Sequence, residues 1–147
     1  MPETDLGRLL LEAHRTLATE LMEELNDHGY DDVRAGHAAV FMNIDRRWGT
    51  RLTELAKRAR MSKQGMMLLV DDLESRGYVR RMPDDEDGRA KIVRLTARGR
   101  RYVADARRSV ATIESRLRRE WGYRQYATLR DALEDLAGVG EEEPTGA

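Results

Sequence analysis

Four consecutive acids, residues 84–87, are followed by Gly88 and Arg89, and such a run could bind a cation. A calcium loop of the EF-hand type needs oxygen ligands at positions 1, 3 and 5, glycine at 6 and glutamate at 12. With Gly88 at position 6, position 1 falls on Pro83 and position 12 on Arg94, and neither supplies a carboxylate. Strand-like sequence flanks the run on both sides. We therefore reject calcium and expect no metal or other cofactor.

The histidines and the missing cysteines bear on catalysis. His14, His28 and His37 have no metal-site spacing, and no nucleophile-elbow, phosphate-loop or dinucleotide motif occurs. Without cysteine, disulfides and thiol chemistry are excluded.

No apolar run reaches the roughly 18 residues of a membrane span, and the acidic start, MPETDLGRLL, is unlike a secretory signal. We expect a cytoplasmic protein that is not an enzyme.

Charge is sorted along the chain. Residues 45–101 hold 16 Lys/Arg and 9 Asp/Glu, a net +7, whereas the rest of the chain has a net −8. A basic middle between acidic ends suits a surface that meets a polyanion such as DNA. Chance clustering of solvated charges explains the same count equally well.

Helical periodicity dominates the sequence on either side of one hairpin. A break at Arg60-Met61 separates two short helices, and the strand-like runs 78–82 and 92–95 enclose the acidic loop. This order predicts a mainly α fold with a small β-hairpin wing, in which a winged helix-turn-helix core lies between long terminal helices. The predicted helices are 5–28, a second from a cap at Asp31 or Asp32 through Ile44, a third with its N-cap near Thr53, a fourth from the Ser62 cap to about Arg76, a fifth capped by Thr96, and a sixth after Gly122.

The fourth predicted helix carries side chains suited to a DNA major groove. Its apolar stripe turns inward, which at about 100° per residue leaves Gln64 and Leu68 outward, with Met67 on the shoulder. Gln64 can hydrogen-bond adenine, Lys63 can reach a phosphate, and the two apolar side chains can contact thymine methyl groups. The alternative is that Met67 and Leu68 pack on a partner or a neighbouring helix.

The segments LTELA, SKQ, LESRGYV and DGRAK followed by LTARG lie within residues 51–100 and resemble the winged-helix core of the MarR family of bacterial transcription regulators. The resemblance implies a homodimer with intertwined first and last helices, whose two fourth helices enter successive major grooves of a pseudo-palindrome. It also implies that Arg89 enters a minor groove, where narrow A/T-rich DNA attracts arginine, and that Asp87 braces it. Many members bind a small aromatic or phenolic ligand that weakens DNA binding.

The chain departs from the family pattern at a few positions. Many relatives have arginine at the positions of Leu68 or Asp72, and the turn before the fourth helix often has glycine where this chain has Arg60. A left-handed Arg60 would cost on the order of 1 kcal/mol. The rival hypothesis, a dimeric winged-helix protein-interaction module that does not bind DNA, is favoured by Leu68, Asp71 and Asp72.

We therefore predict a ligand-responsive repressor that forms a homodimer and binds double-stranded DNA. We expect it also to bind a small aromatic or phenolic effector, and we expect no contact with a membrane. Residues 1–147 form one regulator chain, with 31–100 as its DNA-binding part, 5–28 and 100–138 as dimerisation helices, and 139–147 as a disordered tail. No role follows for Asp84, Asp85 or Glu86. The candidate effector residues, for which ordinary core or surface roles are the alternative, are His14, His37 and Phe41, with Trp48 as a weaker one. The predicted DNA contacts are Arg51, Thr53, Ser62, Lys63, Gln64, Met67, Leu68, Asp87, Arg89 and Lys91.

Overall fold

The computed structural model describes residues 3–139 and confirms the predicted fold class. No helix in that range is both long and apolar enough to cross a bilayer. Of the predicted tail 139–147, residues 140–147 lie outside the described part. Two compact units, Met1–Ser109 and Val110–Ala147, divide the chain within its fifth helix. The elements are α1 (Leu6–Asp27), a 3-10 turn (Ala35–His37), α2 (Ala38–Phe41), β1 (Thr50–Arg51), α3 (Leu52–Arg58), α4 (Lys63–Ser75), β2 (Val79–Pro83), β3 (Lys91–Leu95), α5 (Ala97–Trp121) and α6 (Tyr123–Ala137).

The turn between α3 and α4 lies where the sequence predicted a break between two short helices. The Ser62 hydroxyl caps α4 by accepting a hydrogen bond from the backbone N–H of Gly65 at 3.0 Å, as predicted. Arg60 has a φ of 54°, so this arginine adopts the left-handed conformation whose cost was considered above. It is exposed and lies two residues before the cap of α4.

The predicted second helix is wrong in both its cap and its length. Only the 3-10 turn and the four-residue α2 form there, and neither Asp31 nor Asp32 caps them. The Asp32 carboxylate instead accepts hydrogen bonds from the Tyr78 hydroxyl at 2.6 Å and from Arg98 at 3.0 Å. The Asp32 side chain thus bonds to residues distant in sequence, although the local sequence had predicted it as a helix cap.

A third strand, β1, was not predicted, and the N-cap expected near Thr53 is misplaced. Arg51 precedes the helix, and Thr53 lies within its first turn. The short β1 pairs antiparallel with β3, so the sheet order is β1-β3-β2. Gly49 allows this pairing: its φ is 80°, and a Cβ there would lie 2.6 Å from the carbonyl oxygen of Val93.

The hairpin of β2 and β3 is confirmed, with Val79 opposite Leu95 and Pro83 opposite Lys91. Helix α5 follows directly and starts at the predicted cap: the Thr96 hydroxyl accepts from the N–H of Gly99 at 3.1 Å and donates to the Gly77 carbonyl at 2.6 Å. A Cβ on Gly99 would overlap the Tyr78 carbonyl oxygen. The start of α5 therefore packs against β2 at backbone distance.

The core of the first unit joins the inner faces of α3 and α4 to the sheet. Met66, Val70 and Leu73 are fully buried, which confirms the predicted inward stripe of α4. Beside them lies an aromatic cluster in which the ring centroids of Phe41 and Tyr102 are 4.4 Å apart. Burial raises the pKa of Tyr102 to about 12. The other members of this cluster are Tyr30 and Tyr78.

Apolar side chains remain exposed on α1 in the first unit and, separately, on α6 in the second. Helix α6 has no buried residue, and Arg130 ties it to α5 through Glu114 at 3.7 Å. Leu25 is the sole buried residue of α1. The exposed apolar residues are Leu6, Leu9, Leu11 and Leu17 on α1, and Tyr123, Leu129, Leu133 and Leu136 on α6.

Candidate nucleic-acid interface

All ten predicted DNA contacts are exposed. The first two turns of α4 present Lys63 and Gln64 to solvent, followed by Met67 and Leu68, whose exposed fractions are 40% and 65%. Because the inward stripe fixes the rotation of the helix, this exposed side is set by packing. A polar pair and an apolar pair therefore lie together at one end of a rigid helix.

The two acids of α4 are paired within the protein. Asp71 forms an ion pair with Arg81 of β2, and Asp72 accepts from the Arg76 Nε at 3.0 Å. His37 Nε2 lies 2.6 Å from the other oxygen of Asp72. The bonds from Arg76 and then from His37 lower the pKa of Asp72. Both carboxylates have cationic partners within the protein, although Asp71 shares Arg81 with Glu74, so their repulsion of an approaching polyanion is reduced.

Arg81 holds α4 to the hairpin. Its backbone N–H donates to Glu74 Oε2 at 2.8 Å, and its Nη1 donates to Oε1 at 3.1 Å. Its Nη2 also donates to the carbonyl oxygen of Met67 at 3.3 Å. The orientation of α4 relative to β2 is therefore fixed by a half-buried side chain that sequence reasoning did not single out.

The loop at the wing tip orders the backbone around Arg89. Asp87 Oδ1 accepts from the backbone N–H of Arg89 at 3.1 Å, and the carbonyl oxygen of Asp87 accepts from the N–H of Ala90 at 2.9 Å. The predicted brace thus contacts the Arg89 backbone rather than its guanidinium. Within residues 3–139, no hydrogen bond or ion pair is recorded for that guanidinium, which extends into solvent.

Asp84 is the functional element of this loop that the sequence did not reveal. It is only 7% exposed, its Oδ1 accepts from the N–H of Glu86 at 3.0 Å, and its other oxygen forms an ion pair with Arg51. The Glu86 N–H first, and the Arg51 guanidinium after it, lower the pKa of Asp84. Arg51, a predicted DNA contact, therefore also anchors the wing loop. No local pattern signals this pair, because its members lie far apart in sequence.

The predicted effector residues have different surroundings. His37 is 2% exposed, and its Nδ1 accepts from the Arg34 N–H at 2.9 Å, so its Nε2 carries the proton donated to Asp72. Phe41 packs in the aromatic cluster, whereas His14 is exposed on α1. Trp48 is 65% exposed, beneath the Arg47 guanidinium. The described part of the chain holds no group of three histidines or acids arranged to bind a metal ion.

Comparisons with known proteins agree with this architecture. Residues 28–90 match the model of the MarR family. A transcriptional repressor, CouR, solved on a 23-mer DNA duplex, is 26% identical with a TM-score of 0.73, and the match covers 90% of this chain and 92% of that one. CouR from Rhodococcus jostii RHA1, bound to p-coumaroyl-CoA, is 26% identical with a TM-score of 0.69, covering 97% and 95%. Wild-type MarR from E. coli shares the fold at 24% identity, with a TM-score of 0.73 and coverage of 91% and 98%. No curated protein matches the chain.

Proposed function

We propose that the chain is a transcriptional regulator of the MarR family, and that it is a homodimeric repressor of a pseudo-palindromic DNA operator controlled by a small ligand. The observation that carries this proposal is the exposed start of α4 beside an exposed Arg89, with the acids of α4 paired internally. Its target is DNA, so we place the protein in the cytoplasm, and we assign it no enzymatic activity.

Each part of the interface has a role in the proposal. The start of α4 reads the major groove, where Gln64 hydrogen-bonds adenine and Met67 and Leu68 contact thymine methyl groups. Lys63 pairs with a phosphate, and Arg89 enters the flanking minor groove. The residues assigned to positioning on the DNA backbone are Arg51, Thr53, Ser62 and Lys91, with Asp87 ordering the wing tip.

A second copy of the chain supplies the proposed dimer. Helices α1 and α6 expose leucines that a monomer would leave in water, and α6 buries no residue at all. Burying such apolar surface contributes about 25 cal/mol per Å². A symmetric homodimer places the same surfaces against each other and sets two α4 helices at the spacing of successive major grooves. Residues 5–28 and 100–138 are the proposed dimerisation segments, and residues 31–100 bind DNA.

The effector part of the proposal rests on the surroundings of His37. Two solved neighbours hold ligands, p-coumaroyl-CoA in one and a natural ligand in the other. In this chain, an aromatic or phenolic effector that reached Phe41 and His37 would disturb the bond from His37 to Asp72 on α4. His14 would contribute only from the exposed side of α1.

The rival function, a protein-interaction module, retains one observation: Leu68 is 65% exposed on α4. Selection of bound fragments from the host genome separates the two. A regulator enriches a pseudo-palindromic site, and its affinity falls steeply with salt as phosphate contacts release counterions. Failure to bind any genomic fragment, or binding insensitive to salt, would favour the rival.

The wing assignment is tested on the enriched site. Arg89→Ala should weaken binding by about 1–3 kcal/mol while the mass of the dimer stays unchanged. Arg34→Ala, which removes an exposed arginine that is neither a predicted DNA contact nor part of a proposed dimerisation segment, serves as the control for lost charge. Equal affinities of the Arg89 and Arg34 variants would contradict the role of Arg89.

A further inference from the structure

A cavity of about 380 Å³ in the first unit is lined by five arginines. It lies where the loop before β1 meets β2, β3 and the start of α5. Its charged residues, here called the arginine cradle, are Arg46, Arg47, Arg80, Arg94 and Arg100. No acidic side chain lines it.

The arginine cradle lies on the face of the sheet opposite α4. Side chains alternate between the two faces along a strand. Arg81 contacts α4, and its cross-strand partner Val93 is fully buried, so these two residues define the inner face. Arg80 and Arg94, the adjacent pair in the register, therefore belong to the outer face. The cradle is thus a separate surface from the exposed start of α4.

Local backbone contacts build the cradle. Gly49, with its positive φ, presses the loop onto β3, where a Cβ would lie 2.6 Å from Arg94 Cγ. Arg94 Nη2 in turn donates to the carbonyl oxygen of Arg47 at 3.2 Å. Arg100 Nη1 donates to the carbonyl oxygen of Leu95 at 3.1 Å. Arg94 and Arg100 are therefore held in place by backbone acceptors, which do not neutralise their charge.

The positive charge of the cradle is not neutralised by ion pairs within the described part of the chain, although one nearby acid, Asp45, acts electrostatically on Arg46. Among residues 3–139, the ion pairs of this unit engage other arginines, such as Arg51, Arg76 and Arg81, and none joins a cradle guanidinium to a carboxylate. The nearest acid in the loop, Asp45, accepts from the backbone N–H groups of Arg47 at 2.9 Å and Trp48 at 2.7 Å. A concave surface of one charge attracts the opposite ion strongly.

We propose that the arginine cradle binds a small organic molecule carrying two or more phosphate groups, such as a nucleoside diphosphate. Guanidinium groups donate paired hydrogen bonds that match phosphate oxygens. The volume falls within the range of ligand sites, about 300–1,000 Å³, and Met82, on the same face of the sheet, supplies apolar surface for the organic part. This site is independent of the proposed DNA interface and does not rest on it.

The test is calorimetric titration of the full chain, without DNA, with inorganic pyrophosphate and with ADP at about 0.15 M salt. One site per chain is expected for both. The double variant Arg80→Gln/Arg94→Gln should weaken binding by at least about tenfold, since each change removes charge-assisted hydrogen bonds. A second double variant, Arg46→Gln/Arg100→Gln, should do the same. The matched control is Arg34→Gln/Lys57→Gln, two exposed cations outside the cradle and outside the proposed dimerisation segments.

Three outcomes would overturn the proposal. The first is that neither pyrophosphate nor ADP binds. The second is an equal loss in the control, which would mean that overall charge alone attracts the anion. The third is a loss of operator affinity in Arg80→Gln/Arg94→Gln beyond that of the control with no small ligand present, because the cradle would then hold DNA phosphates. Arg89→Ala should leave pyrophosphate binding intact, so failure of the DNA proposal would be seen separately.

Discussion

Arg81 on β2 donates hydrogen bonds to both carboxylate oxygens of Glu74 on α4, one from its backbone and one from its guanidinium. The backbone bond ties the position of the strand to the helix, and the side-chain bond adds a charge-assisted contact. Because the same guanidinium pairs with Asp71, the outer surface of α4 and the wing are connected through one residue. The angle between α4 and the wing, the two elements that we propose contact DNA, is therefore set within the protein itself.

Arg81→Ala should lower the free energy of unfolding by about 1–3 kcal/mol, because it removes charge-assisted hydrogen bonds from a half-buried site. Chemical denaturation measures the change, and Arg80→Ala on the opposite face of β2 is the matched control, expected within about 0.5 kcal/mol of wild type. A double-mutant cycle with Glu74→Ala should show a coupling of about 1 kcal/mol. Additive effects would mean that the pair does not act as a unit.

His37→Ala should destabilise the fold by about 2–4 kcal/mol, since it empties a buried site and leaves the Arg34 N–H and the Asp72 carboxylate without their partner. His14→Ala, at an exposed position of α1, should change the stability by no more than about 0.5 kcal/mol. Thermal and denaturant unfolding of the two variants provide the comparison. Similar small effects of both changes would contradict the structural role of His37.

Gly99→Ala should destabilise the fold by about 1–3 kcal/mol, because the added Cβ overlaps the Tyr78 carbonyl and forces α5 away from β2. The control is Gly88→Ala in the wing loop, where a Cβ meets open space and a near-neutral effect is expected. Denaturant midpoints at constant slope measure both. A tolerated Gly99→Ala would show that the helix start can shift at little cost.

The order of the wing loop should depend on pH through Asp84. Its pKa in the folded protein lies below the ordinary value of about 3.9, so the unfolded chain binds more protons in this range. The contribution of Asp84 to stability is therefore present above about pH 4 and is lost as the pH falls through the lower, folded pKa.

Carboxyl carbon shifts measured by NMR during an acid titration would give the pKa of Asp84 directly. Arg51→Gln should raise it only part of the way, because the N–H of Glu86 is the larger cause. The protection factors of the wing amides, which are corrected for the intrinsic exchange rate, should fall over the same acid range and lose that dependence in Asp84→Asn. An ordinary pKa for Asp84 in the wild-type protein would contradict the assigned ion pair.

Local signals predicted the hairpin, two caps and every helix except the second, whose cap and length were wrong. Ser62 and Thr96 were identified as caps because the capping interaction involves backbone groups within three residues. The inward stripe of α4 followed from periodicity alone. Strand β1 escaped prediction because two residues carry no alternation, and its pairing depends on the distant β3.

Contacts between distant residues account for what the sequence left open. The pairs Arg51–Asp84 and His37–Asp72 join side chains that no spacing rule connects. Asp32 bonds to the distant Tyr78 hydroxyl and therefore does not form its predicted helix cap. The predicted DNA contacts are local to α4 and the wing tip, and their exposure agrees with the sequence, while their contact with DNA stays a prediction.

Arg60, the left-handed residue before α4, is unfavourable for stability but favourable for the proposed binding of DNA. Glycine would relieve a backbone strain of about 1 kcal/mol, but it would also remove an exposed cation two residues from the cap of α4, the helix that we propose reads DNA. A library of variants screened for heat resistance alone should therefore drift away from arginine at this position. A library screened for retention on DNA at rising salt should keep it.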